Sequence, residues 1–95
     1  MHIAMDALIS RSDESTETEL DDEIIVMAIE TGKLYGMGDV AKDIWLAVEM
    51  PVKFGDLVDR LQQDYDVERQ VCIDDLTTFL GHLEKSKLVR VTHCP

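Results

Sequence analysis

The side chains best suited to nucleophilic or metal chemistry are two cysteines and three histidines: Cys72, Cys94, His2, His82 and His93. A thiolate nucleophile needs a histidine within hydrogen-bond reach and an acid to orient it. Cys72 and His82 fall ten residues apart on one predicted helix, about 15 Å along its axis, and cannot meet. His2 and His93 would have to fold back from the chain ends. No Cys-x-x-Cys or His-x3-His spacing offers a ligand set, and His93 and Cys94 read as an exposed tail. Two thiols also do not make a disulfide framework. The sequence therefore predicts no catalytic group, no metal site and no cofactor.

What remains must position a binding surface. Ninety-five residues make one small domain, and 45% hydrophobic residues suffice for its core. With five aromatic residues (Tyr35, Trp45, Phe54, Tyr65, Phe79), aliphatic packing must dominate. No apolar run approaches the roughly 20 residues that cross a bilayer. The N-terminus also lacks the basic and apolar regions of a signal peptide. These features read as a soluble, cytoplasmic protein. The net charge of -11 argues against binding a phosphate backbone, which needs clustered Lys and Arg. Residues 1–30 hold nine carboxylates and one Arg, so most of the acid is concentrated there. That pattern fits a solvated acidic segment joined to a more ordinary globular unit, and it favours a basic or neutral partner.

Along the chain, residues 2–10 predict a first strand with Ile3, Met5, Ala7 and Ile9 on one face. Residues 11–23, rich in Ser, Thr and acids, read as a mobile loop with too little apolar surface to order itself. A folded unit over 24–92 follows, with 93–95 as a tail. Ile24–Ile29 is a β-branched strand, Glu30-Thr31-Gly32-Lys33 a turn, and Leu34–Met37 a short return strand expected at a sheet edge. Three helices come next. The first is capped by Asp39, carries Ile44 and Trp45 and ends at Pro51. The second runs from Phe54 to Tyr65. The third is capped by Asp66 and runs from Val67 to Lys85, with Ile73, Leu76, Phe79, Leu80 and Leu83 on its apolar side. "KLVRVT" at 87–92 is a last strand or a packed tail. The expected class is α+β and winged-helix-like: an N-terminal three-stranded antiparallel sheet followed by three helices.

Several of these elements carry a resemblance. Thr31-Gly32, Tyr35, Met37-Gly38, Ile44-Trp45, Asp75-Leu76, Phe79-Leu80, Leu83 and Leu88-Val89 follow, in order and spacing, the pattern of the PqqD-like family. These are the peptide-chaperone domains also called RiPP recognition elements. The resemblance covers residues 20–91. It departs at Met37-Gly38, where Leu-Asn is usual, and at Lys87, where a helix-ending Gly is common. "ETGKLYGM" is similar to the free-standing leader-binding proteins of lasso peptide pathways.

The resemblance implies a binding module without chemistry of its own. It would hold the leader of a ribosomally made precursor peptide, added as a strand to the third strand in a groove against the third helix. In lasso pathways that complex goes to a transglutaminase-like cysteine protease, the leader peptidase, and a cyclase acts afterwards. The expected peptide-binding residues are Lys33, Leu34, Tyr35, Gly36 and Met37 on the strand, and Cys72, Asp75, Leu76, Phe79 and Leu83 on the helix.

An edge strand supplies main-chain hydrogen bonds, and pockets beside it take alternate side chains of a guest. Tyr35 and Met37 share one face and Leu34 and Gly36 the other, so either pair can line the groove. Phe79 is core or groove wall, and Asp75 pairs with a basic guest residue or with Arg90. Two rivals compete with peptide recognition. DNA binding through the third helix meets Glu68, Asp74, Asp75 and Glu84, which phosphate would repel. An acidic protein–protein adaptor would use the same edge strand or the acidic face.

Overall fold

Stiff β-branched residues favour extended backbone, and residues tolerant of positive φ decide where it reverses. In the computed structural model, which describes residues 2–93, the chain runs β1 (Leu8–Arg11), β2 (Ser15–Leu20), β3 (Glu23–Ala28), β4 (Leu34–Met37), α1 (Asp39–Ala47), β5 (Val52–Lys53), α2 (Phe54–Asp64), α3 (Arg69–Lys85) and β6 (Val89–Thr92). The strands form two three-stranded antiparallel sheets, ordered β2-β3-β4 and β5-β1-β6. The class is α+β as expected, with a three-stranded sheet ahead of three helices.

The make-up of that sheet corrects the sequence reading in two places. Residues 15–20, expected as mobile loop, are β2, paired with β3 from Ser15↔Ala28 to Leu20↔Glu23. A segment this poor in apolar residues cannot order itself by burial. β2 is instead exposed along most of its length and ordered by its backbone pairing. Asp21, at φ 56, makes the reversal into β3, a conformation Asp tolerates better than most residues. Residues 2–10 are not one strand either. The amide of Ala7 donates to the carbonyl of Ala4 at 3.0 Å, a turn that breaks the alternation. Ile3, Ala7 and Ile9 are buried as expected, but Met5 is exposed. β1 then pairs with β5 and β6 rather than with the hairpin.

One cluster fastens β1 and β2 to the helices. Trp45 on α1 is fully buried, and the Arg11 guanidinium lies 4.1 Å from its ring centroid. Arg11 donates to the Trp45 carbonyl from Nη2 at 2.6 Å and to Glu17 Oε1 from Nη1 at 3.1 Å. Trp45 Nε1 donates to the same carboxylate oxygen at 3.4 Å. A glutamate of the acidic segment is thus tied to the core.

The helices match their apolar stripes more closely than their expected caps. α1 starts at Asp39 with Gly38 as its N-cap, and α3 starts at Arg69 with Glu68 as its N-cap, neither with a side-chain cap bond. Asp66 is held in a tight turn, where the Val67 amide donates to the Tyr65 carbonyl at 3.0 Å. On α3 the buried stripe is Cys72, Leu76, Leu80 and Leu83, while Ile73 and Phe79 are half-buried on its flanks. Each fully buried Leu contributes about 1.5–3 kcal/mol. An exposed pair such as Arg69–Asp59 contributes at most about 1 kcal/mol, so α3 is held by its stripe. "KLVRVT" resolves as a strand, β6, paired with β1. Cys94, expected in the tail, lies outside the described residues.

α3 ends where the family pattern would place Gly. Lys87 sits at φ 60, its amide donates to the Glu84 carbonyl at 3.0 Å, and the Leu88 amide donates to Leu83 at 2.9 Å. This is a left-handed helix end, which glycine enters without a Cβ penalty. Lys87→Gly is therefore expected to raise the thermal midpoint by a few degrees, measured by circular dichroism, despite losing the surface pair with Glu30.

Candidate functional site

Among the described residues β4 pairs with β3 only, so one side of its backbone is free of sheet bonds there. Which groups face that side follows from ladder alternation. The Ala28 amide donates to the Lys33 carbonyl at 2.9 Å, and the Ile29 amide donates to Glu14 at 3.0 Å. Ala28, Val26 and Ile24 therefore turn their N–H and C=O toward β4, and Ile25 and Met27 turn theirs toward β2. With Val26 opposite Tyr35 and Ile24 opposite Met37, Tyr35 and Met37 bond inward to β3. The outward donors and acceptors belong to Leu34 and Gly36.

The side chains separate the same way. Tyr35 is half-buried and Met37 is 1% exposed on the core side, while Leu34 is 67% exposed on the outer face with Gly36. The Tyr35 and Met37 face is thus the one turned toward α3. Met37 goes fully into the core and lines neither cleft described below. Lys33 is exposed in the turn, its amide accepted by Thr31 Oγ1 at 3.3 Å. Gly32 carries the reversal at φ 71.

Two depressions flank Phe79. One, of about 370 Å³, lies between β4 and α3 and is lined by Tyr35, Asp75, Thr78, Phe79, His82 and Leu83. The other, of about 300 Å³, is a mainly apolar cleft at the junction of α1, α2 and α3; its walls include Val40, Ile44, Tyr65, Cys72 and Leu76. Asp75 and Phe79 line both. Eight of the ten expected site residues are therefore on the free edge or in these clefts, and Lys33 and Met37 are not.

The residues that close one end were not foreseen. The hydroxyls of Tyr35 and Ser86 are hydrogen-bonded, joining β4 to the C-terminal end of α3. Ser86 is 4% exposed, so that bond satisfies a buried polar group. Beside it, Lys87 Nζ donates to Glu30 Oε1 at 2.9 Å. This hydrogen bond and the opposite charge hold the Glu30 carboxyl below its ordinary value and the Lys87 ammonium above its own. These contacts join positions more than 50 residues apart, and no local pattern signals them. On the α1 wall, Val40, Ala41 and Ile44 recur at helical spacing, a pattern that core and cleft lining share.

The chemistry available at the site is limited. Burial pushes the Cys72 thiol up, with Arg69 opposing and Asp75 adding to the rise, so it stays protonated near neutral pH. Asp75 finds no partner among the described residues. Arg90, considered as its internal partner, lies in a separate depression with Ser12 and Glu84. No group of three or more His, Cys, Asp or Glu suited to a metal occurs among the described residues. Nor is any described helix long and apolar enough to cross a membrane.

At the rim of the junction cleft, the Tyr65 hydroxyl donates to Asp43 Oδ2. That bond, burial and the negative charge of Asp43 push the Tyr65 phenol up to about 12 from 10.0. Because the folded value is the higher one, the bond's contribution to stability is present below pH 10 and is lost as pH rises through about 12. An ultraviolet titration is expected to show one tyrosine ionising late, with Asp43→Asn bringing it back toward the ordinary range.

Residues 23–89, from β3 into β6, match the family described as coenzyme PQQ synthesis protein D (PqqD). Among solved structures, the chain is similar to one described as TbiB1 in complex with the TbiA(beta) leader peptide. The TM-score is 0.76 and the identity 28%, over 85% of this chain and 94% of that one. No curated protein matches.

Proposed function

This chain belongs to the PqqD family, and from that premise we propose that it is a non-catalytic protein that binds the leader segment of a ribosomally made precursor peptide. The leader adds as a strand to β4, bonding the outward N–H and C=O of Leu34 and Gly36. Guest side chains on the Tyr35 side enter the clefts along α3, and the alternate ones lie over the outer sheet face. The observation that carries this reading is the free edge of β4 running beside the depression that Tyr35, Phe79 and Leu83 line. TbiB1, the similar structure, is itself described as a complex with a leader peptide. We assign the pathway to lasso peptides on the likeness of "ETGKLYGM". The bound leader would pass to a transglutaminase-like leader peptidase, with a cyclase acting later.

The protonated, buried Cys72 gives no support to a catalytic reading, and exposed Asp74 and Asp75 on α3 disfavour nucleic acid. An adaptor role has one observation in its favour. The outer sheet face leaves Leu20, Met27 and Leu34 exposed, as a protein partner would require.

Two proline substitutions test strand addition. Leu34→Pro removes an outward donor and leaves the β3 ladder bonded, whereas Tyr35→Pro removes an inward one. Leu34→Pro is expected to keep its helix content and thermal midpoint while affinity for a fluorescent lasso-precursor leader peptide, read by anisotropy, falls at least about tenfold. Tyr35→Pro is expected to lower stability as well. Unchanged affinity in folded Leu34→Pro would rule out addition to β4. A protein partner captured with no leader affinity would favour the adaptor.

A further inference from the structure

We propose that Asp75 selects the guest, requiring a Lys or Arg between two apolar guest residues seated on either side of Phe79; this rests on the peptide-binding reading above. Asp75 lines both clefts, and it is the only charged side chain lining the helix-junction cleft among the described residues. Neighbouring acids are engaged: Asp74 accepts from Gln70 at 2.9 Å, Asp59 from Arg69 at 2.8 Å and Asp43 from Tyr65. Asp75 has no such partner, and Arg69, the basic residue nearest to it along α3, is committed to Asp59 and Gln62.

The surroundings of this carboxylate fit a long cationic side chain. Asp75 and Phe79 are four residues apart on α3, so they stand side by side on one helix face, about 5–6 Å between Cβ atoms. A Lys or Arg stem can lie over the Phe79 ring while its head meets the carboxylate, joining apolar contact, cation–π attraction and an ion pair. Asp75 is exposed in the free chain, so its charge stays solvated until the guest supplies a counter-charge. The net charge of -11 adds a field that speeds encounter with basic peptides and repels acidic ones.

The test is selection from a displayed random-peptide library against the wild-type chain, Asp75→Asn and Asp75→Lys. Both variants change an exposed position, and circular dichroism confirms their fold. The wild type is expected to enrich peptides with Lys or Arg at a fixed place between two bulky apolar residues. Asp75→Asn should keep the apolar spacing and lose the basic preference, binding the best wild-type peptide about threefold to tenfold more weakly. Asp75→Lys should enrich Asp or Glu at that place. Raising the salt should narrow the gap between wild type and Asp75→Asn. Identical preferences in wild type and Asp75→Asn, or a hydroxyl residue at that place, would overturn the selector role and leave peptide binding standing. If no chain enriches any peptide, the peptide-binding reading fails and the selector role with it.

Discussion

A strand bonded on one side only leaves its other row of backbone groups to water or to a partner, and β4 is such a strand. Both ends of its four residues are fixed, by the turn at Gly32 and by the start of α1 at Asp39. Its inward side is fully committed to β3 and to the core through Met37. The outward side is therefore preformed, and a guest need not order it on arrival. The Tyr35–Ser86 bond joins this edge to the C-terminal end of α3, with the exposed Glu30–Lys87 pair beside it. They act at one end of the slot, while the apolar cleft at the junction of α1, α2 and α3 lies at the other.

The division of labour between backbone and side chains follows. In the proposed mode, main-chain bonds from Leu34 and Gly36 would supply affinity with little demand on sequence. Discrimination would then fall to what lines the clefts, Phe79 and Asp75 lining both. Cys72 belongs to the buried α3 stripe, where burial pushes its thiol up. At longer range the net charge of -11 sets up a field that attracts basic groups and repels phosphate.

The hairpin and the three helices were legible because each is announced within a few residues. β-Branched Ile24, Ile25 and Val26 mark a strand, Thr31-Gly32 a reversal, and spacings of three and four an amphipathic helix. β2 was not legible, because its order depends on a partner strand and on Glu17 reaching Trp45 and Arg11 across the fold. Counting its apolar residues misses a strand stabilised by backbone pairing. The helix starts slipped for a related reason: Asp39 and Asp66 have capping chemistry, yet the turns that precede α1 and α3 place other residues at the caps. Within the site, the edge position followed from a short return strand after the turn, and the α3 face from spacings of three and four. The contacts to Ser86 and Lys87 needed the assembled fold.

The central claim is that the outward amides of β4 wait for a guest strand. Residue-resolved amide hydrogen exchange, with and without saturating leader peptide, tests it most directly. Leu34 and Gly36 should exchange fast in the free chain and slow sharply with the leader, while Tyr35 and Met37 are protected in both states. Exchange at Leu34 and Gly36 that the bound leader leaves unchanged would contradict the account.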